Sequence, residues 1–146
     1  MKLPNQWLLP TDGSKYAVMA TEYASKLYAQ LDPKPNVVIL HVISDPTGSQ
    51  SRDPLNAKSE EKEKGRQLLT EAKQMFIDNS GIADTVTTMM AIGEPRKTII
   101  EIAKSNQTDH LIMGGSDYRW RISDLLSGGV SNYVLHHLNC LITFIK

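Results

Sequence analysis

Short apolar runs alternate along this chain with stretches in which apolar residues recur every three or four positions. Trp7 to Thr11 (WLLPT) is an apolar run stopped by Asp12-Gly13-Ser14, which predicts a strand and then a turn. Ala17, Ala20, Ala24, Leu27 and Leu31 follow at spacings of three and four, the mark of one buried helical face, and Pro33 and Pro35 end that helix. Asn36 to Val42 (NVVILHV) is apolar and rich in β-branched residues, as in a strand covered on both faces. From Lys58 a charged half-helix gives way to an amphipathic one, with Leu68, Leu69, Ala72, Met75 and Phe76 facing inward and Gly81 as the stop. Asp84 to Gly93 predicts a third strand. Glu94 to Asn106 predicts a third helix, with Ile99, Ile102 and Ala103 as its core stripe and Pro95 in its first turn. His110 to Gly115, Ser127 to His137 and Cys140 to Ile145 complete the pattern as strand, helix and strand.

Strands joined through helices imply parallel pairing with helices on both faces. The expected fold is therefore α/β, a Rossmann-like doubly wound five-stranded parallel sheet in the order 3-2-1-4-5, formed by residues 1–146 as one domain. Ser44 to Ala57, rich in Ser, Pro, Asp and Gly, reads as a long loop, mobile or acting as a flap.

Charge and cysteine content narrow the function classes. Sixteen basic residues balance sixteen acidic ones, against the basic surplus of a general nucleic-acid or membrane-surface binder. Cys140 is the single cysteine, which points to a reducing compartment. No secretory signal and no run of about 20 apolar residues is legible, so a cytoplasmic location is expected. Neither a catalytic constellation, a metal-ligand cluster nor a GxxxxGK[ST] loop is recognisable, so an enzyme is not the expected class. His136 and His137 are adjacent on a helix and point about 100° apart, which makes no chelating pair. His41 reads as a hydrogen-bonded core histidine, Met89 and Met90 as core and edge packing, and Cys140 as a small core residue.

Ligands of doubly wound sheets bind beyond the carboxyl ends of the strands, where the strand order reverses. Here Thr11-Asp12-Gly13-Ser14 and Gly114-Gly115-Ser116 end the first and fourth strands, and Gly128-Gly129 opens the fourth helix. These segments, with LLPTDGS, ILHV, GEPRKTIIEIAKSNQTDHLIMGG and GGVSNYVLHHLNCLITFI, resemble the universal stress protein family nearly end to end. The resemblance implies a pocket for ATP or another adenine nucleotide, with adenine near Asp12 and Val42. The implied binding set is Pro10, Thr11, Asp12, Val42, Gly114, Gly115, Gly128, Gly129, Val130 and Ser131.

The phosphate loop departs from the family's pattern of Gly-x-x-Gly, nine residues, then Gly-Ser/Thr. Counted from Gly114, Asp117 stands at the second glycine; counted back from Gly128, Gly115 is first and Tyr118 stands there, and Gly129 replaces the hydroxyl residue. A helix N-terminus favours a phosphate by roughly 0.3–1 kcal/mol. A carboxylate about 4 Å from a phosphate charge opposes it by about 4 kcal/mol at an intermediate dielectric. An inward Asp117 would defeat the anion site, unless Arg119 and Arg121 fold back over it.

Simpler roles stand beside these. Asp12 or Ser14 can cap the first helix, Gly128-Gly129 can merely let the fourth helix start close to the sheet, and Tyr118 to Arg121 can be an exposed loop or a protein contact. The preferred function is a non-catalytic universal stress module, dimeric, with a degenerate nucleotide pocket. The alternative is an ATP- or AMP-binding member, a switch or slow ATPase, with a rearranged phosphate loop. Homodimerisation is expected through Cys140 to Ile145, an apolar strand at a sheet edge with only Lys146 as a nearby charge; the resemblance points the same way.

Overall fold

The computed structural model describes residues 2–44, 59–115 and 129–146. The elements are β1 (Gln6–Pro10), α1 (Lys15–Gln30), β2 (Asn36–Ser44), α2 (Ser59–Ser80), β3 (Val86–Gly93), α3 (Pro95–Ser105), β4 (His110–Gly114), α4 (Val130–His137) and β5 (Leu141–Ile145). All strand pairs are parallel, and the sheet runs β3-β2-β1-β4-β5, the order read from the sequence. Of the expected loop Ser44 to Ala57, residues 45–57 lie outside the described residues, as does all of Asp117 to Arg121.

Two apolar layers sandwich the sheet because its central strands present residues alternately to opposite faces. Trp7, Leu9, Val37 and Ile39 point to one face, under α1 and α2, with Ala20, Ala24, Leu69, Ala72 and Phe76 packed over them. Leu8, Leu40, Leu111 and Met113 point to the other, under Ile99, Ile100 and Ala103 of α3 and Val134 of α4. The alanines of α1 let it lie close to the strands. Tyr28 of α1 meets Phe76 of α2 edge to face at 5.3 Å, and its hydroxyl bonds Thr85 Oγ1 at 2.8 Å. Each fully buried side chain of this size is worth about 1.5–3 kcal/mol.

Most element boundaries follow the sequence pattern, and the departures have local causes. β3 begins at Val86 rather than Asp84, because the Val86 amide closes a turn on the Ala83 carbonyl (3.0 Å) and Thr85 Oγ1 donates to the Pro35 carbonyl (2.7 Å). α1 stops at Gln30, with Leu31 already extended at φ −93° and ψ 143°. In α2, Leu69, Ala72 and Phe76 are buried while Leu68 and Met75 are half-buried, and Gly65 joins the buried stripe. α4 starts at Val130, and the Ser127 and Gly128 of the expected helix lie outside the described residues.

Candidate functional site

The order 3-2-1-4-5 reverses between β1 and β4, and a cavity of about 250 Å³ opens beyond their carboxyl ends. Of the residues expected to bind, Pro10, Thr11, Asp12, Val42, Gly114, Gly115 and Val130 line it together. Gly129 is the exposed N-cap of α4 and is not in the lining; Gly128 and the Ser131 side chain lie outside what is described. Ser14, Ala17, Leu40, Pro95, Ile99 and Met113 also line the cavity. Leu40 was legible in principle, since it shares a strand face with Val42 at a period of two. Pro95 and Ile99 were not, because only packing brings the start of α3 over the end of β2.

The turn after β1 supplies the polar wall. Thr11 continues the ladder by donating its amide to the Leu40 carbonyl at 2.8 Å. The Gly13 amide donates to Thr11 Oγ1 at 3.4 Å, and the Ser14 amide to Asp12 Oδ1 at 2.9 Å. Gly13 sits at φ +78°, a conformation that favours glycine. Asp12 thus acts through an Asx turn; Ser14 is the N-cap of α1, but its side chain makes no cap bond. The Asp12 Oδ2 oxygen accepts no bond among the described residues and remains available at the cavity.

His41, half-buried, braces this turn from the opposite sheet face. Its Nδ1–H donates to the Thr11 carbonyl at 2.9 Å, which assigns the ring tautomer. Gly65 of α2 makes room for it: a Cβ there would lie 2.9 Å from His41 Cδ2 and 2.7 Å from Met90 Cε. Met90 packs against the core, whereas Met89 is exposed on β3.

The glycines after β4 have other neighbours. A Cβ on Gly114 would stand 2.4 Å from the Tyr16 carbonyl carbon and 2.5 Å from the Ala17 nitrogen, so this glycine admits the first turn of α1. The Gly115 amide donates to the Ile145 carbonyl at 2.7 Å, extending the β4–β5 ladder.

Two helix N-termini flank the cavity, and they differ. α3 is capped by Glu94, whose carboxylate accepts from the Arg96 and Lys97 amides at 3.3 and 3.0 Å and from Arg96 Nε at 2.9 Å. Partial burial pushes the Glu94 carboxyl up, but the Arg96 side chain and the two amides outweigh it and hold the group below its ordinary value. α4 has Gly129 as its N-cap and no side-chain cap among the described residues. Arg96 also lies over the Tyr133 ring at 5.3 Å, and Tyr133 stacks on His137 at 3.9 Å, tying α3 to α4.

Elsewhere, burial pushes the His110 imidazole down, only partly opposed by Asp109, and its Nε2 meets Thr143 Oγ1 at 2.9 Å. Burial likewise raises the Cys140 thiol, which packs at the edge of the α3–α4 core. No helix among the described residues is long and apolar enough to cross a membrane.

Fold and cavity together define a doubly wound α/β domain with an apolar slot, one carboxylate and two hydroxyl side chains at its switch point. The chain belongs to the universal stress protein family, whose sequence pattern matches residues 6–146. It is 25% identical over 140 residues to universal stress protein MJ0531 of Methanocaldococcus jannaschii, covering 95% of this chain and 80% of that one. It is 39% identical over 51 residues to universal stress protein Slr1101 of Synechocystis, covering 35% of this chain and 46%, about half, of that relative. Among solved structures, a universal stress protein in complex with cAMP superposes with a TM-score of 0.79 at 18% identity, covering 99% of each chain. That last likeness is one of fold.

Proposed function

We propose that this chain is a non-catalytic universal stress module whose pocket takes the base and sugar of an adenine nucleotide but holds its phosphates weakly. The observation that carries this reading is the engagement of both glycines after β4: Gly115 donates its amide to Ile145, and Gly114 stands against the backbone of α1. On the other side, the apolar slot between Val42, Leu40 and Ile99 suits a flat ring, and Asp12 Oδ2 suits an amine or hydroxyl donor. The cAMP complex of a protein of the same fold supports an adenine ligand. One feature favours the alternative, an ATP- or AMP-binding member with a rearranged phosphate loop. The start of α4, which no side chain caps among the described residues, places Val130 in the lining, and free N–H groups at a helix start attract anions.

The module is proposed to work as a homodimer through β5. The Leu141 amide bonds Asp109 and the Ile145 carbonyl accepts from Gly115, so the backbone groups of Ile142 and Phe144 turn outward along an uncharged edge.

Thermal melting with ATP and magnesium tests the pocket. Ligand at a hundred times its dissociation constant adds about 2.7 kcal/mol, roughly 2–8 °C for a domain near this size. Millimolar ATP is expected to give clearly less, cAMP at the same concentration at least as much as ATP, and Asp12→Ala should remove either shift. A full shift at low micromolar ATP would establish the alternative. Sedimentation of the same samples should show a dimer at micromolar concentration that Ile142→Pro weakens; a wild-type monomer would refute the strand pairing.

A further inference from the structure

Among the described residues the sheet has a second open edge, and its surroundings differ from those of β5. β3 runs for eight residues, VTTMMAIG, with neither a charge nor a proline to discourage pairing. The Val37 amide bonds the Thr85 carbonyl, so Thr87, Met89 and Ala91 turn their backbone groups toward β2, while Thr88, Met90 and Ile92 turn theirs outward.

Beside that edge lies a groove of about 310 Å³ between α2 and β3. Leu69 and Ile77 give it an apolar floor, and Thr70 and Thr88 line its walls. Arg66 and Lys73 stand seven residues apart on the flank of α2 facing it. Among the described residues Arg66 carries only an exposed pair with Glu63, at 3.1 Å, an interaction worth little. Lys73 is half-buried and pairs with no acid among the described residues.

We infer that the β3 edge and the Arg66–Lys73 groove form a docking site for an extended acidic segment of a partner protein, which adds to the sheet as a further strand. Main-chain bonds to Thr88 and Met90 would supply affinity, and alternate side chains would supply selectivity. Seven residues of helix rise about 10.5 Å, and strand residues on one face repeat about every 7 Å, so acidic side chains two or four positions apart reach both cations. Charge also decides against a second copy of this chain at this edge. Pairing two β3 strands about a two-fold axis normal to the sheet would set the Arg66 and Lys73 side chains of two α2 helices on one sheet face, with only the exposed Glu63 partner of each Arg66 to offset them among the described residues.

The test uses the full chain and two blocked eight-residue peptides, alternating Asp-Val and alternating Lys-Val, with amide hydrogen exchange and a binding titration. The acidic peptide should protect the amides of Thr88 and Met90, and the lysine peptide should not. Lys73→Glu together with Arg66→Glu should weaken the acidic peptide at least tenfold without lowering the melting temperature. Thr88→Pro, which removes an outward N–H, should weaken it too. Equal binding of both peptides, protection at β5 instead of β3, or no protection of β3 by millimolar acidic peptide would each overturn the proposal.

Discussion

After β1, four consecutive residues build their own turn: the Gly13 amide bonds Thr11, the Ser14 amide bonds Asp12, and Gly13 takes the φ of +78° that closes it. After β4, the chain does little for itself. Gly114 is shaped by the backbone of α1, nearly a hundred positions earlier, and Gly115 is held by the carbonyl of Ile145, thirty positions later. Both ends carry glycine and both line the same cavity, yet the glycine serves conformation in one and clearance in the other. Similar residues at symmetric places in a fold are therefore no guide to similar roles. A glycine placed to receive a phosphate and a glycine placed to receive a helix look the same until the neighbour is known.

Substitutions separate the two cases. Gly114→Ala should cost the most, about 3 kcal/mol or more, because backbone rather than a flexible side chain stands within 2.5 Å of the new methyl. Thermal melting should register that as a drop of roughly 10 °C. A change under about 1 kcal/mol would mean that α1 is not seated on Gly114. Gly13→Ala should cost about 1–2 kcal/mol, mainly for the left-handed conformation, since the clash is with the terminal methyl of Leu68 at 2.6 Å, which can rotate. Gly13→Asn should recover part of that loss, and equal losses for the two would show that crowding, not φ, governs the site.

The smallest effect concerns the other end of the β4–β5 ladder, where His110 joins Thr143 and packs edge-on to Trp7 at 5.3 Å. Burial holds this imidazole neutral below the ordinary value of 6.5. The unfolded chain therefore binds a proton that the folded chain refuses, and stability is lost as pH falls from about 6.5 through the folded value. The slope is at most about 1.4 kcal/mol per pH unit. Denaturant titrations between pH 7.5 and 5 should show it, and His110→Gln should flatten that segment; an unchanged slope in the variant would assign the acid sensitivity elsewhere.

The alternation of strand and helix, the buried stripe of α1 and the place of the switch point were legible because each depends on periodicity and turn chemistry within about ten residues. The β1 wall of the cavity was legible for the same reason, down to Thr11 and Asp12. Pro95 and Ile99 escaped because nothing near them in the chain says that α3 overhangs β2. His110 escaped because its partners, Trp7 and Thr143, are distant in sequence.

By itself, then, the sequence determined which segments are strands, which face of each helix is apolar, and where the chain must turn, since those follow from side-chain periodicity and the conformational freedom of single residues. Only the tertiary structure decided what stands against the glycines after β4, which residues close the cavity, and that one sheet edge lies beside a lysine with no acidic partner among the described residues. Those outcomes depend on contacts between segments far apart in the chain, where clearance of a few tenths of an ångström and the partner of a single amide set the result.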